Sequence, residues 1–230
     1  MGRSVDPLSY AAAISLSYFV GIANCVLRPD DSVVREIEGA LRIAERSGDD
    51  LAVANAGMAL GMALVHCDTA AERDRGQKLL AEVGDVFVRR GHNLCELPIV
   101  NVYLSREEAR RGDRDEAITL MRATVDHLFR EKRLLLWGPA ATGVLVETLL
   151  DRGDDDDVVE AEAAIERLAA APAEDGMAVR TIWLVRLRAL LARARGDDVA
   201  YRDYVSRYRA MAESLGFEGH IAGAEAMVNL

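Results

Sequence analysis

The tripeptide Arg-Gly-Asp occurs three times, at Arg111-Gly112-Asp113, Arg152-Gly153-Asp154 and Arg195-Gly196-Asp197, at intervals of 41 and 43 residues. Each copy follows an Ala/Leu-rich run and precedes another. A glycine adopts the left-handed conformation that ends a helix at little cost. A following Asp can cap the next helix by accepting from its free N–H groups. The motif here is therefore turn chemistry rather than an adhesion signal. The same period extends back to His66-Cys67-Asp68-Thr69 and Arg28-Pro29-Asp30-Asp31. A second turn series is interleaved at Ser47-Gly48-Asp49, Arg90-Gly91-His92, Glu131-Lys132-Arg133, Pro172-Ala173-Glu174 and Leu215-Gly216-Phe217. Two turn series sharing one period mean two helices per repeat.

The spacing predicts helices at 7–27, 32–47, 50–66, 70–90, 93–111, 114–131, 134–152, 157–171, 175–195 and 198–215, with a tail helix at 218–227. Apolar residues recur at three- and four-residue spacing, as in Ile37, Leu41 and Ala44. Small residues (Ala40, Ala117, Ala164) stand early in the second helix of their pairs. No stretch alternates β-branched and polar residues as a half-buried strand would. The predicted fold is all-α: one domain over 1–230, a right-handed α-solenoid of about five antiparallel helix pairs with a period of about 42 residues. The segment from Gly112 to Ile118 resembles the turn into the second helix of a tetratricopeptide repeat, although this period exceeds the usual 34 of that family.

Net charge is −10 over 230 residues. A phosphate-binding protein needs a basic face, so nucleic acid is not an expected partner, and neither is anionic lipid. The stretch Leu8 to Leu27 carries no charge and is long enough to span a bilayer. Its Ser, Asn and Tyr residues favour a buried first helix instead, one that could also dimerise if incompletely covered. The acidic run Asp154 to Asp157 reads as a helix N-terminal cap, where negative charge suits the dipole. Cys25, Cys67 and Cys95 form no C-x-x-C pair and lie in hydrophobic stretches. They read as buried free thiols of a cytoplasmic protein.

The chain contains no Gly-Lys for a P-loop, no G-x-G-x-x-G after a strand and no G-x-S-x-G elbow. Its four histidines are scattered, and Glu107-Glu108 point apart on a helix. No cofactor, metal or catalytic residue is expected. A helical solenoid binds instead through its concave surface, taken here as the first helix of each pair. With Gly112, Gly153 and Gly196 as register marks, the inward candidates are Arg106, Arg110, Glu147, Trp183, Arg186 and Arg193. Arg180, Trp183 and Arg186 share one helix face, and Arg and Trp are common anchors. The competing reading makes Trp183 and Trp137 core residues with solvated arginines around them.

The tail from Tyr208 to Met227 (YRAMAESLGFEGHIAGAEAM) is the most distinctive stretch. It resembles the C-terminal end of large actinobacterial proteins. Those proteins join a class III adenylate/guanylate cyclase or a DNA-binding regulator to an AAA-type ATPase and then to a tetratricopeptide-like region. The resemblance implies that this chain is the helical C-terminal part of a larger signalling protein, with cyclase and ATPase residues upstream. It implies a role in partner binding or sensing that regulates those domains. The alternative is a stand-alone sensor taking a peptide or small ligand in its groove.

Overall fold

The computed structural model describes residues 6–172 and 177–228. Predicted turn residues Ala173 and Glu174, and the first two residues of the predicted 175–195 helix, lie outside the described residues. Among those described there are eleven α-helices and no strand. They are α1 Pro7–Ala23, α2 Asp31–Ser47, α3 Asp50–Leu64, α4 Ala70–Arg90, α5 Leu97–Arg111, α6 Arg114–Arg130, α7 Leu134–Arg152, α8 Asp157–Ala170, α9 Ala178–Ala194, α10 Asp198–Leu215 and α11 Glu218–Val228. The chain divides into two compact units. Unit 1 takes Met1–Ala23 and Leu27–Val100, and unit 2 takes Asn24–Val26 and Asn101–Leu230.

Two predicted helices are shorter than their apolar patterns suggest. α1 ends at Ala23 rather than 27, because Cys25 takes a left-handed φ of 56° and the Leu27 N–H turns back to the Gly21 carbonyl at 3.1 Å. α5 starts at Leu97 rather than 93, because Asn93 is left-handed at φ 48° and Pro98 sits in the first turn, where a missing N–H costs nothing. Neither left-handed residue is Gly; Asn tolerates the conformation better than most residues, whereas Cys carries no such signal.

The repeated glycines behave as turn chemistry requires. Gly112, Gly153 and Gly196 all have positive φ. The aspartates after them differ. Asp197 caps α10 by accepting from the Ala200 N–H, but Asp113 makes no side-chain cap, and α8 begins only at Asp157. The acidic run does begin α8, with Asp156 at the cap position making no side-chain capping bond and Asp157 in the first turn. Asp157 is buried and takes a two-pronged contact from Arg152, at 3.0 and 2.6 Å, while also accepting from the Asp154 N–H. That bond from Arg152 holds the Asp157 carboxyl below its usual range. The clearest side-chain caps lie in the interleaved series and near the start: Asp49 accepts from Leu51 and Ala52 N–H, and Asp30 from Ser32 and Val33 N–H.

In unit 1, α3 packs on α1, α2 and α4. α3 is small and apolar on nearly every face, and Ala54 through Leu64 is buried apart from Asn55. α3 and α4 meet at paired glycines. A Cβ on Gly76 would lie 2.8 Å from the Gly61 carbonyl oxygen and the Val65 nitrogen, both backbone atoms. In unit 2, α7 packs on α6, α8 and α9, α9 also on α8 and α10, and α10 on α11. Ile182, Val185, Val205, Tyr208, Ala212, Ala224 and Met227 form one core cluster there. Ala40 and Ala117 are buried as expected, and Ala164 is half-buried. Among the described residues α7, rather than the N-terminal stretch, is the helix long and apolar enough to cross a membrane, and most of it is buried.

Replacing Gly76 by Ala should cost about 2 kcal/mol of stability, because the opposing atoms are backbone and cannot swing aside. Gly48, at φ 71° with open space around it, should cost only about 1 kcal/mol as Ala, from the conformation alone. Urea denaturation followed by circular dichroism ranks the two variants, and equal costs would contradict this packing.

Candidate functional site

Unit 2 has a polar interior built from the face that the sequence singled out. Glu147 lies on α7, and Trp183 and Arg186 lie on α9. The Arg186 Nη2 is 2.6 Å from the Glu147 Oε1, close enough to pair but misaligned for a hydrogen bond. The Arg186 guanidinium also lies over the Trp183 ring, 5.0 Å from its centroid. Trp183 itself is only 1% exposed. It fits there because the α7 residue beneath it is Gly143, where a Cβ would come within 2.3 Å of the indole ring. Trp137 is buried as well. Both tryptophans therefore sit in the interior, and Arg186 and Glu147 face each other beside one of them.

The other candidates fall elsewhere. Arg106 and Arg110, on α5, converge on the buried Glu107 at 3.3 and 2.7 Å. Arg106 also stacks over the Tyr103 ring at 4.5 Å. Arg193 is exposed, and its side chain makes no ion pair or hydrogen bond among the described residues. Arg180, grouped with Trp183 by spacing, donates to the Leu168 and Ala169 carbonyls at the end of α8.

Two further residues and a segment complete the interior and were not among the sequence-derived site candidates: Tyr208 of α10, His220 of α11 and the chain around Cys25. The Tyr208 hydroxyl is 2.8 Å from His220 Nδ1, and His220 Nε2 is 3.1 Å from the Asn24 carbonyl oxygen. A carbonyl can only accept, so Nε2 carries the hydrogen and Nδ1 accepts from Tyr208. His220 is thus the neutral Nε2–H tautomer with both nitrogens committed. Its backbone N–H donates to the Cys25 carbonyl at 2.9 Å. Its ring meets Trp183 edge-on, with centroids 5.4 Å apart. Gly219 is required beside it, since a Cβ there would lie 2.6 Å from the Cys25 carbonyl oxygen. The signal available in sequence was the distinctiveness of the 208–227 tail, but its contact with Asn24 spans 196 residues.

Burial sets the charges. It pushes the Tyr208 and Tyr103 hydroxyls and the Cys25 thiol up, keeping all three protonated. Burial works against the charge of Arg186, but Glu147 and then Tyr208 outweigh it, and its affinity for the proton rises. Burial first, and then the Arg186 charge, push His220 down to about 3. A protonated, half-buried thiol is a poor nucleophile. Of the other cysteines, Cys67 is also half-buried and Cys95 is exposed, so full burial holds for none of the three. Trp183 Nε1, Thr142 Oγ1 and Arg186 Nε are buried without a hydrogen-bond partner among the described residues. No group of three or more metal-ligating side chains converges among the described residues. The arrangement is suited to locking helices together.

Because folded His220 stays neutral while an unfolded imidazole takes a proton near 6.5, the unfolded state binds more protons below that value. Stability should therefore be full above pH 6.5 and fall as the pH drops from there toward 3, by up to about 1.4 kcal/mol per unit. Urea midpoints at pH 7, 6 and 5 read this slope. The variant His220→Gln should be less stable at pH 7 and lose the slope between pH 7 and 5. An unchanged slope in that variant would contradict the assignment.

Comparison with protein-family models, with curated proteins and with solved structures finds no match for the chain.

Proposed function

We propose that this chain is a non-catalytic regulatory and protein-interaction module, a right-handed stack of about five helix pairs with a period of about 42 residues. The observation that carries this reading is the pattern of ion pairs between alternate helices. Arg75 of α4 pairs with Glu38 of α2, 37 residues away. Arg122 of α6 pairs with Glu160 of α8, 38 residues away, and Arg167 of α8 with Asp126 of α6, 41 residues away. The first helices of successive pairs are joined in the same sense by Glu147 and Arg186. Ties of near-constant separation between α2 and α4, between α6 and α8 and between α7 and α9 are what neighbouring hairpins of a stack would make. The packing of α1 on α3 and of α7 on α9 supports the same reading.

Stacked hairpins serve mainly to hold other chains, because each repeat presents surface in addition to its core. The likeness of the 208–227 tail to cyclase and ATPase fusions suggests the partner: catalytic signalling domains, in the same polypeptide or in another, within the cytoplasm. Cross-linking in the native cell followed by mass spectrometry tests the proposal. It expects cross-links from this chain to a nucleotide-cyclase or ATPase-type domain. Cross-links confined to this chain would contradict it. Sedimentation decides separately whether the chain self-associates, and a strict monomer removes the homodimer.

A further inference from the structure

The connection between α1 and α2 is packed unlike the chain on either side of it. Asn24–Val26 belongs to unit 2, whereas the residues up to Ala23 and from Leu27 belong to unit 1. Unit 2 therefore holds this segment much as it would hold a bound peptide. The grip is on the backbone. The Cys25 carbonyl accepts from the His220 backbone N–H at 2.9 Å, in the first turn of α11. The Asn24 carbonyl accepts from His220 Nε2 at 3.1 Å. Two successive carbonyls are thus held by one residue. Gly219 permits the approach, since a Cβ there would lie 2.6 Å from the Cys25 carbonyl oxygen and 3.0 Å from its Cα. Main-chain contacts of this kind bind a peptide while leaving most of its side chains free to vary.

The segment is an imperfect occupant. Cys25 takes φ 56°, a conformation that is strained for most residues and that Gly adopts freely. Its thiol lies within reach of Arg186, but a protonated thiol is a weak acceptor. The Trp183 Nε1 and Arg186 Nε donors are buried without a hydrogen-bond partner among the described residues. A buried donor left unanswered is a standing cost, which an occupant with a better acceptor removes. Cys25 and Val26 are only half-buried, so solvent reaches the edge of the segment. A peptide with Gly at the left-handed position would make the same backbone contacts with less strain.

We propose that the face of unit 2 formed by Arg186, Gly219 and His220 is a receptor for a short peptide of a partner chain with Gly at the left-handed position, and that the chain's own Asn24–Val26 fills it as a displaceable stand-in. This site rests on the interaction reading, yet the two fail separately: cross-links to a cyclase or ATPase domain can form without peptide binding here, and peptide binding can occur without them. When the segment leaves, water takes its place, so the Glu147–Arg186 pair becomes solvated rather than stranded. Fluorescence anisotropy of the full chain with a fluorescein-labelled Ala-Asn-Gly-Val-Leu peptide, which is residues 23–27 with Gly in place of Cys25, tests the site. The wild-type chain should not bind it, because the tethered segment competes at a far higher effective concentration. Cys25→Pro, whose ring forbids a positive φ, should expel the segment with an unchanged circular-dichroism spectrum, and the peptide should then bind saturably at one site. Cys25→Ile, β-branched where φ must be positive, should behave alike. In either background, Gly219→Ala should weaken binding about tenfold, and so should Pro in place of Gly in the peptide. A Cys25 variant that stays helical and does not bind the peptide overturns the site. Binding indifferent to Gly219→Ala marks adsorption to exposed apolar surface and overturns it too. Unfolding of both Cys25 variants would make the segment an integral part of the core, which also contradicts the proposal.

Discussion

Putting the Glu147–Arg186 pair largely out of water dictates much of what surrounds it. Taking two charges out of solvent costs several kcal/mol per ion before their attraction is counted. A further charge beside them must itself be paired, as Arg106 is with the buried Glu107. The other neighbours stay uncharged: a protonated Tyr208, a protonated Cys25 and a neutral His220. His220 remains neutral because both of its nitrogens have uncharged partners and because the Arg186 charge opposes a second cation. The pair, the Tyr208 hydroxyl, the Cys25 thiol and the imidazole thus form one electrostatic unit, and losing any member leaves the others in an environment they do not suit.

The same economy appears in the sterics. Trp183 is large and buried, and it needs the missing side chain of Gly143 beneath it. His220 reaches the Asn24 and Cys25 backbone only because Gly219 lets the chains approach. In unit 1 the equivalent contact is glycine against glycine, Gly61 against Gly76. Close helix approach of this kind gains dispersion contacts but tolerates no added methyl group.

Much of the helix layout was legible in the sequence because its signals are local. The Gly-terminated turns, the polar caps and the three- and four-residue apolar spacing all act within a few residues, and most predicted helix ends lie close to the observed ones. The exceptions are places where Cys25 and Asn93 take a conformation usually left to glycine. The three-residue spacing of Arg180, Trp183 and Arg186 suggested one shared face. It could not say what that face meets, because the answer depends on Gly143 of another helix and on His220, far along the chain. Asp157 shows the same limit. Its position in an acidic run suggested a helix cap and nothing more, whereas Arg152 also holds it in the interior.

The central claim is that His220 is a neutral keystone of the unit 2 interior, and nitrogen-15 NMR of its imidazole tests this most directly. The account requires the Nε2–H tautomer, unchanged from pH 8 down to pH 5, with an Nδ1 shift typical of an accepting nitrogen. An imidazole that titrates with a midpoint near the ordinary 6.5, or one protonated on Nδ1 instead, would contradict it.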